Sequence, residues 1–142
     1  MTMLGIDAAR VIIADALKAG QAAGMKPLSV VVLDAGGHVL AFERSDGSSP
    51  GRFDIARAKA HGAVMLGLGG RAQMARAEAQ PYFMAALSGV YEGRILPVPG
   101  GVLVRDAVGA VVGAVGVTGD TSDNDAIAAE AGIRAAGFVP EA

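Results

Sequence analysis

Cysteine is absent from this chain of 142 residues, and its absence removes several chemistries at once. A disulfide framework, a thiolate zinc site, an iron–sulfur cluster and a cysteine nucleophile are all excluded. Tryptophan is missing too, and aromatic residues make up only 4% of the chain. With 52% hydrophobic residues and 21 glycines, the core has to be assembled from Ala, Val, Ile and Leu in closely packed elements. Charge is sparse: the formal net charge is −2, and no basic run offers a grip on a phosphate backbone, which excludes nucleic acid as a partner. No apolar run reaches membrane-spanning length without polar interruption. The opening stretch MTMLGIDAARVIIADALK has neither a basic n-region nor an unbroken apolar h-region. The expectation is a cytoplasmic protein with no membrane partner, forming one domain over residues 1–142.

What is present is organised around Val98 to Asp120, VPGGVLVRDAVGAVVGAVGVTGD. This reads as two strands, Gly101–Arg105 and Ala110–Thr118, joined by a turn at Asp106-Ala107-Val108-Gly109. The second strand is almost wholly apolar, as a central strand covered on both faces must be. A first hairpin, Leu28–Leu33 and His38–Arg44, surrounds Asp34-Ala35-Gly36-Gly37. The two turns share their chemistry, although their flanks do not align as a repeat.

Helical spacing of apolar residues predicts helices over Ile6–Ala23 and Phe53–Leu68, the latter closed by Gly69-Gly70. A shorter helix is expected within Ala79–Val90. Arg94–Pro99 reads as a connector with a further short strand near Ile95. A last helix, Asp125–Ala136, follows a capping-box-like start at Ser122-Asp123-Asn124-Asp125 and ends at Gly137. The predicted class is α+β: an antiparallel sheet flanked by helices.

Few side chains suggest chemistry. His38 opens a strand, where it is either a solvated turn residue or an axial ligand to iron or another metal. His61 lies in a helix and is expected to be exposed or at an interface. The two do not form an HExxH pair. Most carboxylates fall at turns and caps, where local hydrogen bonding accounts for them. Asp125 stands apart, starting a helix beside the end of the apolar strand, where capping and ligand contact both remain open. Gly100-Gly101 allows a close backbone approach but lacks the lysine and context of a P-loop. No GxGxxG joins a strand to a helix, and no serine has a nucleophile-elbow setting. These residues leave the reaction unnamed.

Three stretches together carry a resemblance: VVVLDAGGHVLAFERSDG (Val30–Gly47), IARAKAHGA (Ile55–Ala63) and PVPGGVLVRDAVGAVVGAVGVTGD (Pro97–Asp120), continued by DNDAIAAEAGIRA (Asp123–Ala135). In these the chain resembles the GlcG/HbpS-like family, also called haem-degrading or DUF336 domains. The resemblance implies a profilin-like or PAS-like sheet with flanking helices, assembled as a homo-oligomer, and a relation to the C-terminal domain of corrinoid adenosyltransferases. Haem is the cofactor it implies. Lys59 matches the family's helix lysine, and Pro99-Gly100-Gly101 its glycine-rich strand entry. Where the family pattern carries Lys-Ala-Arg/Tyr-Thr-Ala, this chain has Lys59-Ala60-His61-Gly62-Ala63.

The resulting expectation is a small-molecule or haem-binding oligomer accessory to a catabolic pathway. Lys59, His61, Pro99, Gly100, Gly101 and Asp125 would shape the ligand site, and His38 or His61 would bind the metal. Two alternatives stay open: a haem-degrading or other small catabolic enzyme, and a non-catalytic partner subunit. Gly113 and Gly116, in the most apolar strand, are expected to serve a subunit contact with the ligand pocket nearby.

Overall fold

The computed structural model describes residues 3–142; Met1 and Thr2, the first positions of the expected domain, lie outside the described residues. Helix α1 spans Ile6–Ala22 and is followed by strands β1 (Ser29–Asp34) and β2 (Val39–Arg44). Three helices come next, α2 (Arg52–Leu66), α3 (Gly70–Ala79) and α4 (Pro81–Val90). Strands β3 (Gly101–Arg105) and β4 (Val111–Thr118), helix α5 (Ser122–Ala135) and strand β5 (Val139–Glu141) complete the order.

The strands form one five-stranded sheet in the order β2-β1-β4-β3-β5, with every pairing antiparallel. The apolar β4 is therefore the middle strand, and all but its first residue is buried. Strand alternation divides the core between the two faces. Val30, Val32, Val102, Val104, Val115 and Val117 face α1 and α5. Val31, Leu33, Leu103 and Ala114 face α2. A satellite cluster of Met84, Leu87 and Ile95 lies under α4.

Glycine sets how closely the layers meet. A Cβ on Gly116 would run into the Ala56 carbonyl of α2, and one on Gly101 into that of Lys59. On Gly113 it would strike the Leu33 carbonyl and Leu4. The expectation that Gly113 and Gly116 serve a subunit contact is therefore corrected: both are filled by packing inside this chain. Alanines 56, 60 and 63 on α2 complete that close seat.

Five further differences from the sequence reading have local causes. Gly67, at φ +66°, closes α2 at Leu66, and Gly69 precedes a helix instead of ending one. That helix, α3, has only Gly70 and Gln73 buried, so it carries no apolar stripe to read. No strand forms near Ile95, whose side chain instead packs under α4. The fifth strand is the three-residue β5, an edge strand containing Pro140, which pairs with β3. Finally, α5 is capped by Thr121, whose hydroxyl accepts the Asn124 N–H at 3.2 Å, which leaves Asp125 free for another task.

Candidate functional site

The residues marked out by sequence divide between the two ends of the sheet. At one end, Lys59 of α2 passes the start of β3 and reaches the first turn of α5 on the opposite face. Its ammonium donates to Asp125 Oδ2 and to the Val117 carbonyl, each at 3.1 Å. Asp125 Oδ1 accepts the Asp120 N–H at 2.9 Å. Lys59 is 3% exposed and Asp125 1%, and Gly100 and Gly101 lie against the lysine, while Pro99, also buried, lies beside Gly70. Gly100, at φ +117°, lies so near that a Cβ would sit 2.9 Å from Lys59 Nζ. Burial lowers the lysine pKa and raises that of the carboxyl, while their mutual attraction and hydrogen bond oppose both shifts. Lys59, Gly100, Gly101 and Asp125 thus come together as a filled polar clasp between two layers, with Pro99 just before Gly100 in the chain.

The opposite end holds both hairpin tips. Their turns are built alike, as the shared Asp-Ala-x-Gly wording implies. Asp34 Oδ1 accepts the N–H groups of Gly36 and His38, both at 2.9 Å. Asp106 Oδ1 accepts those of Val108 and Ala110, at 3.0 and 2.9 Å. Gly37 and Gly109 take φ +84° and +88° in equivalent places, where a side chain would strain the turn. One difference matters: the residue four places after the aspartate is histidine in the first turn and alanine in the second.

Between the tips lies a cavity of about 390 Å³, large enough for a small ligand. Met3, Leu4, Val111 and Val112 give it apolar walls, and Asp34 and His38 stand among its polar groups. The His38 side chain is 81% exposed, with Nδ1 3.3 Å from Asp34 Oδ1. A Cβ on Gly36 would sit 2.9 Å from the imidazole Cε1, so glycine there leaves room for the ring. Burial works to raise the Asp34 pKa, yet the His38 and Gly36 N–H groups and the neighbouring imidazole hold it below the usual carboxylate range. A carboxylate behind an imidazole is the arrangement that fixes the ring and leaves Nε2 as a metal donor.

His61 is not exposed, which corrects the sequence expectation: only 8% of it meets solvent. Its Nδ1 lies 3.0 Å from the Arg94 carbonyl, and because a carbonyl can only accept, Nδ1 carries the proton. The ring meets Tyr91 edge-on with centroids 5.9 Å apart. A Cβ on Gly37 would come within 3.3 Å of its Cδ2 and 2.8 Å of Met65 Cε, so the space beside the ring is already narrow. Burial leads the lowering of its pKa, with the Arg94 and Arg57 charges adding to it. His61 makes none of the clasp's hydrogen bonds among the described residues, and its ring packs near Gly37 in the turn that carries His38.

Sequence reasoning assigned Asp34 to a turn and did not connect it with His38. The signal was available in the four-residue interval across a hairpin, which returns the chain to the same place. Met3 and Leu4 carried no such signal, because only the folded N-terminal segment brings them to the hairpin tips.

No curated protein matches this chain, whereas several solved structures do. A crystal structure of a PduOC–haem complex is 20% identical, covers 99% of this chain and 100% of its own, and superposes with a TM-score of 0.86, a likeness of fold. A double mutant of HbpS from Streptomyces reticuli is 30% identical over 94% of this chain and 87% of its own, with a TM-score of 0.81. The Klebsiella pneumoniae protein ORFY, of family DUF336, is 26% identical over 96% and 93%, with a TM-score of 0.85. The model of the haem degrading protein HbpS-like family matches residues 4–134, and this chain belongs to that family.

Proposed function

We propose that this protein binds haem, or a related planar tetrapyrrole, in the cavity between the hairpin tips, with His38 as the iron ligand. The observation that carries the reading is the conjunction at that cavity of apolar walls and an imidazole backed by a carboxylate. These residues fit the group: Leu4, Val111 and Val112 would meet the macrocycle, and Asp34 would hold Nδ1 so that Nε2 meets iron. Haem would supply redox and oxygen chemistry, and the protein's part is binding and orientation. His61 fits less well, because Gly37 and Met65 crowd its ring. The haem-bound PduOC structure and the family's description support the same ligand class.

Degradation of that haem is the second reading, favoured by the family's description. It requires an oxidant and a reductant from elsewhere, since the chain has no cysteine. Assembly into a homo-oligomer belongs to the proposal as well, supported by the exposed Tyr82 and Val90 of α4. Haem titration of the purified protein tests the main reading. A Soret band that shifts on binding is expected, with His38→Ala losing the ligand-field features and His61→Ala keeping them. Unchanged features in His38→Ala would remove this ligand from the proposal.

A further inference from the structure

A second cavity, of about 350 Å³, shares no lining residue with the first and is lined by Asp54, Arg57, Glu92, Gly93 and Arg94. Where the first cavity is mainly apolar, this one brings together two guanidiniums and two carboxylates. Asp54 and Arg57 are three apart on α2, the spacing at which a helix readily forms an ion pair. Among the described residues, however, neither takes part in one. Arg57 only leans over the Phe53 ring, 5.8 Å from its centroid. One free positive and one free negative group therefore line the same space.

The facing loop adds two observations. Arg94 reaches Glu92 with one terminal nitrogen at 3.3 Å, while its Nε is buried with no acceptor. Nε is closed to solvent, but the other terminal nitrogen makes no hydrogen bond among the described residues and is left to donate to an incoming oxygen. Glu92 is also the one non-glycine residue with positive φ among the described residues, at +56°. A side chain in that conformation is uncommon, and such positions collect at ligand sites. The loop is held from below by the Arg94 carbonyl, which accepts from His61.

We infer that this cavity is a binding site for a small zwitterion of the amino-acid type, its carboxylate received by Arg57 and Arg94 and its ammonium by Asp54. A simple anion would leave Asp54 unpaired and meet repulsion from it and from Glu92. A simple amine would meet two guanidiniums. A molecule bearing both charges a few bonds apart matches the lining, and charge-assisted hydrogen bonds supply its orientation.

Calorimetric titration with L-alanine, propionate and ethylamine tests this, since the three differ only in which charges they carry. L-alanine is expected to bind the wild-type protein in the millimolar range, and the single-charge analogues about tenfold more weakly. Arg57→Gln and Asp54→Asn should each weaken alanine by about tenfold or more. Asp54→Asn, an exposed change at the helix surface, should also narrow the gap between alanine and propionate. Circular dichroism confirms that both variants are folded. His38→Ala should leave alanine binding unchanged, which separates this site from the haem proposal. Equal affinity in wild type and Arg57→Gln would overturn the inference, as would alanine binding lost in His38→Ala. So would the absence of wild-type binding at about 20 mM alanine, well above a millimolar dissociation constant.

Discussion

The two ends of the sheet solve opposite problems with similar materials. At the Lys59 end, a cation and a carboxylate from helices on opposite faces meet where glycine leaves just enough space, and each remaining polar atom finds a partner inside the chain. At the hairpin-tip end, a carboxylate and an imidazole sit against apolar walls with the ring turned to solvent. Desolvation separates them. A buried charge pair is tolerated only when it is met by partners inside the chain, as the Val117 carbonyl and the Asp120 N–H meet this one. An exposed pair contributes little to stability and keeps a donor atom in reserve. The polar residues most conspicuous by burial thus hold the fold, and the less conspicuous ones face the candidate site.

The strongest way to break this comparison is Lys59→Met. It leaves the Asp125 carboxylate buried beside an apolar chain, and we expect a loss of about 3–5 kcal/mol in denaturant unfolding. Adding Asp125→Leu to it should recover much of that loss, because no uncompensated charge remains. A Lys59→Met protein as stable as wild type would show that the clasp does not hold the layers together.

Gly116→Ala comes next, at about 1–3 kcal/mol, because the new methyl group meets the backbone of α2. Light scattering alongside thermal unfolding makes the test sharp. Lower stability at unchanged particle size is the expected result, and dissociation of an otherwise stable protein would restore a subunit role for this glycine.

His38→Ala probes the other end and should scarcely move stability, by less than about 0.5 kcal/mol, as for other exposed substitutions. Its expected effect is on the haem spectrum instead. A large stability loss without spectral change would reverse the assignment of the two ends.

The smallest effect concerns His61, which is buried like the clasp but lies beside the tips. Its pKa is lowered from 6.5 in the fold, so the unfolded chain binds a proton that the native ring refuses. Its contribution is fully present above about pH 6.5 and is lost as pH falls through the native pKa. His61→Gln should flatten that part of the stability profile. The slope from Asp34, whose carboxyl lies below its ordinary value of 3.8, stays in the more acidic range. Parallel profiles for wild type and variant between pH 6.5 and pH 5 would remove His61 as its source.

Much of this fold is legible in the chain. The run from Val111 to Thr118 has no polar residue until its end, which requires cover on both faces and hence the middle of a sheet. Asp-Ala-x-Gly appears twice, and the same hydrogen bonds close both turns. The α1 stripe likewise predicts the packed helix that forms over Ile6–Ala22. Helix α3 and strand β5 were not legible, because neither has an apolar period of its own and both are held by neighbours.

For the sites, the chain by itself determined which chemistries were possible: no thiolate, two imidazoles, and carboxylates concentrated at turns and caps. Local spacing also determined the hairpin that returns His38 to Asp34. Tertiary structure alone decided that Lys59 and Asp125, separated by 66 positions, meet in the interior. It also decided that His61 is buried while His38 is open. Periodicity reports which face of an element is apolar, but solvent access depends on what other elements place over it. For a histidine that cover sets whether the ring packs or binds.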